Sequence, residues 1–355
     1  MLIYLCLFLI CFIVLLRNNN TKGLIVSFVL LALVACLRSI NVGTDTNQFC
    51  TAYREIGEST DWNFVSFRYE AGFFYLCKIL NLFSHNYQLL IIVTSLIINM
   101  SVFFFIKRNS YDYMVSTMIY IFCNCFFSSM NLMRQWLALS VIMFGFPYLI
   151  KKDYLKYILF CVVASLFHKV AVASVLLIFF SFLKTKKAVY IVTIAMFAFV
   201  FVFAENIFNL LALAFNYENY IGGKFTYGNN IGSLLLLAEH GAIVLVAYLM
   251  HRKWCKSNRI TVVSNHYSIL MDAGILHFGF LFLSSKMVIF NRFSEFFSIY
   301  LLILIPEILE FLKVEDNKNY NWLRYGGIAV LFAGFVVISQ FRPEWYGCIP
   351  YELFL

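Results

Sequence analysis

Charge is scarce in this sequence: 13% of its 355 residues are Asp, Glu, Lys or Arg, while 62% are hydrophobic. A soluble core cannot hide that much apolar surface, so the shortage excludes an ordinary globular domain and points to a polytopic membrane protein. The mean hydropathy, +0.83, agrees. Two kinds of chemistry lack their signatures as well. There is no Gly-rich lysine loop for a nucleotide phosphate and no His-Glu-x-x-His zinc pattern, so no cofactor and no metal is expected. The ten cysteines lack paired metal spacing and sit mostly inside apolar runs, as small buried hydrophobes. Cys348 alone is placed where it would face an oxidising space. Met1 to Leu16 lacks both a basic start and a small-residue cleavage site, which makes it a retained span rather than a removed signal peptide. The net charge of +9 is scattered between apolar segments and forms no single basic stripe, so nucleic acid is not the expected partner.

What is present is a succession of apolar runs. Helix-length spans are expected near 1–16, 23–40, 88–106, 111–128, 131–150, 154–168, 170–183, 187–204, 231–250, 265–285, 291–313 and 324–340, about twelve crossings in one membrane domain covering 1–355. The fold class is therefore all-α, a polytopic transmembrane helix bundle. Tyr69 to Phe83 is apolar but brief, and it reads as a re-entrant or interfacial helix because counting it as a crossing would flip every later loop. With that choice Arg17, Lys22, Lys107, Arg108, the lysines at 151, 152 and 156, those at 184, 186 and 187, the basic loop from Arg252 to Arg259, and Lys313, Lys318 and Arg324 share one face. An excess of Lys and Arg marks the cytoplasmic side. The two long irregular segments, Asn41 to Arg68 and Glu205 to Asn230, then lie on the external face, where long loops usually carry function.

The candidate residues gather on that external side. The apolar run from Leu24 to Leu37 stops at Arg38, and Gly43-Thr44-Asp45 supplies a bend beside a carboxylate and hydroxyls. Arg38 has an alternative reading as a snorkelling helix end, and Asp45 as a cap. Phe49, Tyr53 and Ile56 recur at helical spacing, predicting a short amphipathic helix over 46–56 with Arg54 and Glu55 toward water. Arg68 and Glu70 stand at the entry of the short apolar segment, either paired with each other or holding a ligand. Asn131 reads as the cap of the next span, with Arg134 and Gln135 one turn inside it; an arginine at that depth needs an anion. A guanidinium matches phosphate oxygens with two parallel hydrogen bonds. His168 lies at an external turn, where it is either a ligand contact or a helix cap. Tyr217, Tyr220, Lys224 and Tyr227 alternate with amides and glycines, a composition suited to stacking on sugars and also common in flexible loops. Glu239 and His240 follow inside the next span, and Arg292 opens a later one at a spacing from Glu295 that allows a same-face contact.

In this order, Arg38 with Gly43-Thr44-Asp45, Glu70-Ala71-Gly72-Phe73, Asn131-Leu132-Met133-Arg134-Gln135, Ala164-Ser165-Leu166-Phe167-His168 with Ala171, Asn291-Arg292-Phe293-Ser294 and Ile349-Pro350-Tyr351 resemble the EpsG family of bacterial exopolysaccharide proteins, which look like Wzy-type O-antigen polymerases. Phe49 stands where a tyrosine is common and Ala71 where a proline is common. The resemblance implies a metal-independent glycosyltransferase of the bacterial cytoplasmic (inner) membrane, working toward the periplasm or cell exterior. Its donor would be a glycan on undecaprenyl pyrophosphate and its acceptor the nonreducing end of another lipid-linked repeat unit, with a chain-length regulator left open as a partner. Arg134 and Arg292 are expected to hold the pyrophosphate, with Arg38 or Arg68 contributing from the same water-facing chamber. Asp45 is the first choice to orient or deprotonate the acceptor hydroxyl, followed by His168 and then Glu70; Thr44, Asn131, Gln135 and the tyrosine-rich loop would contact substrate. A flippase or transporter for lipid-linked oligosaccharide, and a membrane ligase or acyltransferase, are the competing readings. The one-sided arginines and the absence of an inverted repeat count against the first.

Overall fold

The computed structural model describes residues 2–182, 186–214, 231–256, 265–315, 317–341 and 345–354. These are helical, with no strand among the described residues and one isolated bridge, Arg38 to Leu353. The chain divides into two compact units, Met1–Val172 with Leu312–Leu355, and Ala173–Phe311.

The first unit opens with an antiparallel hairpin, α1 (Leu2–Arg17) and α2 (Thr21–Cys36). It can turn so tightly because the Asn20 side chain accepts from the backbone N–H groups of Lys22 and Gly23, satisfying two donors that a helix start leaves open. Next come α3 (Thr46–Glu58), α4 (Ala71–Asn81) and α5 (Gln88–Asn109). The amphipathic spacing of α3 does what it predicts: Phe49, Tyr53 and Ile56 are buried, Arg54 and Glu55 exposed. The 11 residues of α4 rise about 17 Å, roughly half the hydrocarbon thickness, in keeping with a re-entrant or interfacial helix. Then follow α6 (Tyr113–Phe122), α7 (Cys125–Asn131), α8 (Met133–Ile150) and α9 (Tyr154–Ser165).

The second unit holds α10 (Leu176–Phe182), α11 (Lys186–Val202), α12 (Ala204–Ala214), α13 (Ile231–Lys256), α14 (Asn265–Ser284), α15 (Asn291–Ser298) and most of α16 (Leu301–Glu315). The chain re-enters the first unit within α16 and continues as α17 (Asn317–Phe341).

Several expected spans are corrected. The run at 111–128 is broken: α6 and α7 meet at a 56° bend, with Asn124 in the left-handed region that asparagine tolerates. Asn131 ends α7 instead of capping the following span. The run at 170–183 starts as a 3-10 turn over Lys169–Val175, the run at 291–313 is divided between α15 and α16, and α12 occupies the start of a segment read as irregular. Among the described residues, four helices are long and apolar enough to cross a membrane, or five with the bent pair counted as one, and six shorter apolar helices accompany them.

The first unit has two chemically distinct ends, set apart by the length of α2. At one end Asp112, after α5, accepts from Asn19 at 3.0 Å and from Arg324 of α17 at 2.5 and 3.2 Å. That places the α1–α2 turn, the α5–α6 turn and the start of α17 together, as the distribution of basic residues requires. At the opposite end Gln88, opening α5, donates to the Cys36 carbonyl at 2.8 Å, and the candidate residues collect there.

Candidate functional site

The floor of the site is the segment from Leu37 to Asp45, held by a strap from the far end of the sequence. Backbone N–H groups of Ser39, Gly43 and Thr44 donate to the carbonyls of Glu352, Gly347 and Tyr346, each at 2.8 Å, and Phe354 N–H donates to the Leu37 carbonyl at 2.8 Å. Gly43 has φ +106°, and a Cβ there would meet Thr46 Oγ1 at 2.4 Å, so the turn needs glycine for both its backbone and its space. Cys348 is buried beneath this strap, its thiol 3.6 Å from the Phe127 carbonyl, instead of facing an oxidising space.

Arg38 departs from both of its sequence readings. It does not snorkel: it is 0% exposed, and its guanidinium donates to the carbonyls of Ala35 and Met130, the latter at 2.9 Å, and to Ser95 Oγ at 2.7 Å. Those acceptors tie α2, α5 and α7 together, so Arg38 is a buried brace and not a substrate contact. Asn131 is likewise redirected. Its side-chain oxygen accepts from Asp45 N–H at 2.8 Å and from Thr44 Oγ1 at 3.3 Å, which joins the end of α7 to the Gly43-Thr44-Asp45 turn. With Asn131 enclosed at 2% exposure, its part is to fix that turn. Asp45 stands at the start of α3 but makes no capping hydrogen bond, leaving its half-buried carboxylate beside the exposed Thr44 hydroxyl at 3.4 Å. Gln135 is buried at 2% exposure, which removes it from the accessible contacts.

Above this floor Glu70 joins two distant segments. The backbone enters α4 extended at Glu70, with Ala71 taking the first helical position, where proline is also favoured. Gly72 N–H donates to the Leu166 carbonyl at 2.7 Å, so the start of α4 lies against the turn after α9. This brings one Glu70 oxygen within 3.6 Å of His168 Nδ1 and 3.4 Å of Lys169 N–H. The other oxygen is held by Arg134 Nη1. Glu70 therefore pairs with Arg134 rather than with the nearby Arg68, which is exposed and lies 5.4 Å from the Tyr69 ring.

Arg134 is framed by three rings, those of Phe49, Tyr69 and Phe73, at 5.3, 5.1 and 5.9 Å. The frame explains why phenylalanine serves at position 49: what the guanidinium meets there is a ring face, not a hydroxyl. Tyr69 and Phe73 are members of the site that the sequence reading missed; the available signal was an aromatic on either side of Glu70 at positions that share its end of α4. Arg134 Nε is buried with no hydrogen-bond partner among the described residues, so the guanidinium has donor capacity left. Burial alone would raise the Glu70 carboxyl, but His168 and the Arg134 charge outweigh it and hold the group at about 2. Glu70 is thus an anion throughout the neutral range. His168 itself is buried, at 7% exposure.

The structure accordingly brings Thr44, Asp45, Glu70, Asn131, Arg134 and His168 to one end of the first unit. Arg292 belongs to the second unit, half-buried on α15 two residues before Ser294. Tyr217, Tyr220, Lys224 and Tyr227 lie outside the described residues. Neither the curated proteins nor the solved structures contain a match to the chain. The sequence model of the EpsG family matches residues 22–353, nearly the whole length, and the protein therefore belongs to the EpsG family, a membership that suggests a membrane protein of polysaccharide biosynthesis.

Proposed function

We propose that this protein polymerises lipid-linked sugar repeat units outside the cytoplasmic membrane, as a metal-independent glycosyltransferase. The glycan on undecaprenyl pyrophosphate is the donor, and a hydroxyl at the nonreducing end of a second lipid-linked repeat is the acceptor. The acceptor oxygen forms its bond to the anomeric carbon while the bond from that carbon to the pyrophosphate oxygen breaks. The proton leaves to a base, and the electron pair leaves with the pyrophosphate.

One observation carries the reading: a partly accessible Arg134, 19% exposed at its side chain, set among aromatic rings and steadied by a carboxylate. Negative charge grows on the pyrophosphate as the sugar leaves, and a fixed guanidinium in apolar surroundings stabilises it more strongly than one in water. Glu70 does not lose all its partners when Arg134 turns to a phosphate, because His168 and the Lys169 N–H lie on its other oxygen. A carboxylate held at about 2 is too weak a base to take the acceptor proton, so Glu70 is the orienting group. Asp45, beside Thr44 and on the turn that Asn131 fixes, is the proton acceptor in this scheme; for Arg292, in the second unit, diphosphate binding is a separate proposal.

The test is genetic. In a strain lacking its native copy, Arg134→Ala at normal membrane levels is expected to abolish long polymer and leave single repeat units on the outer side. Long polymer made by that variant would overturn the assignment. Repeats trapped facing the cytoplasm would indicate a flippase, and a defect confined to transfer of finished polymer or to acylation would indicate a ligase or acyltransferase.

A further inference from the structure

A second buried polar cluster lies within the second unit, where α13, α14 and α15 present His240, His277 and Ser294, exposed by 5%, 3% and 1%. His240 Nδ1 is 2.5 Å from His277 Nε2. On the other side of the ring, His277 Nδ1 is 2.8 Å from Ser294 Oγ and 3.0 Å from the Ser294 carbonyl, and Ser294 Oγ is 3.0 Å from the His277 carbonyl.

The direction of every hydrogen bond in this chain follows from its two carbonyls, which can only accept. The Ser294 hydroxyl hydrogen goes to the His277 carbonyl, leaving lone pairs toward Nδ1. The Ser294 carbonyl faces the same nitrogen. Two acceptors on one side require His277 Nδ1 to carry hydrogen, and in the neutral ring Nε2 is then bare. That bare nitrogen accepts from His240 Nδ1, so His240 holds His277 in the tautomer that can grip Ser294.

The grip matters because α15 has 8 residues, too few to hold its place without tertiary contacts. One turn further along, the Phe280 ring stacks on Phe293 and Phe297 at 5.3 and 5.7 Å. Ser294 fixes the rotation of the helix about its own axis, and a residue two positions earlier lies about 200° around an α-helix. Arg292 is that residue. We propose that His277 is a positioning residue that sets the rotation of α15, and with it the direction of Arg292, while His240 selects the tautomer. The proposal rests on the reading above for the importance of Arg292, but not for the geometry.

The experiment compares His277→Asn, His277→Gln and His277→Leu in the full chain. Asparagine places an amide donor where Nδ1 stands, whereas glutamine places it where Nε2 stands. Packing alone favours glutamine, the closer match in size. The first readout is the rate at which Arg292→Cys, introduced beside each change in a background without other cysteines, reacts with a water-soluble maleimide. The second is polymer formation from a defined lipid-linked repeat, with Arg292 intact. The asparagine variant is expected to keep the parent labelling rate and most of the activity; the other two change the labelling rate and lose about 100-fold in activity, the cost typical of a misplaced group. Equal labelling across all three variants overturns the proposal. Should they fail to reach the membrane, Ser294→Ala carries the same test, and a labelling rate identical to the parent's overturns it. Full polymerisation by Arg292→Ala contradicts only the diphosphate role of Arg292, because the labelling readout does not depend on it.

Discussion

Among the described residues Arg134 has one side-chain partner, Glu70, and three rings about its guanidinium, which makes its planar shape as important as its charge. A lysine would bring a point charge without the fork, so Arg134→Lys is expected to lower the polymerisation rate about 100-fold, the scale for losing one fixed charge-stabilising donor. A rate within a few fold of the parent in a membrane assay would contradict that account. Glu70 gives a pH test. Its carboxyl lies at about 2 in the folded protein against 4.5 for the free group. The interaction therefore contributes roughly 3 kcal/mol above about pH 4.5, from linkage, and that contribution is lost as pH falls through about 2. Glu70→Gln is expected to melt at lower temperature than the parent above pH 5, with the gap closing only in strong acid. A gap that closes already near pH 4.5 would mean that Glu70 is not held down. Arg134 was legible in the sequence because an arginine one turn inside an apolar helix has few bland explanations. Its partner was not, since 64 residues separate Glu70 from Arg134 and Arg68 stood nearer in the chain. Arg38, at the end of an apolar run, had a snorkelling reading as well as a ligand reading and proved to be a brace, because sequence alone does not show which buried carbonyls a guanidinium will meet.

Short helices with exact contacts hold the site together. The start of α4 meets the turn after α9 through Gly72, where an added Cβ would come within 2.7 Å of the Leu166 backbone oxygen. Gly72→Ala is therefore expected to push Glu70 away from His168, lowering both thermal stability and polymerisation while leaving membrane insertion intact. Parent-like melting and activity would show that this junction yields freely. The bend between α6 and α7 makes a second test. Asn124 has φ 66°, so Asn124→Gly is expected to be tolerated while Asn124→Val destabilises by about 1–2 kcal/mol, read as a lower melting temperature. Helix α3 was legible from Phe49, Tyr53 and Ile56 because a surface helix needs its apolar residues on one stripe. The α6–α7 break was hidden, because Phe122, Cys123, Cys125 and Phe126 keep the run apolar straight through the bend, and hydropathy records composition, not backbone direction. The division of 291–313 into α15 and α16 escaped for the same reason.

Across the molecule, the sidedness of the first unit follows from two clusters at the two ends of α2, Asp112 with Asn19 and Arg324 at one, and the Gly43 turn with its C-terminal strap at the other. The scattered lysines and arginines made this division legible, because charge left out of an apolar run has to lie at one membrane face or the other. The number of crossings was not legible in the same way, since several runs long enough to count as spans are divided into shorter helices. In a background without other cysteines, Thr60→Cys is expected to react with an impermeant maleimide from outside intact cells, and Asn18→Cys only after the membrane is opened. The reverse pattern would place the Arg134 site on the cytoplasmic side and remove the proposed chemistry. The most direct measurement is an incubation of the purified protein with one defined undecaprenyl-pyrophosphate-linked repeat unit, resolved by product length. The account predicts a ladder of lengthened glycans from the parent protein and only the starting unit from Arg134→Ala; no ladder from the parent, or the same ladder from both, would contradict it.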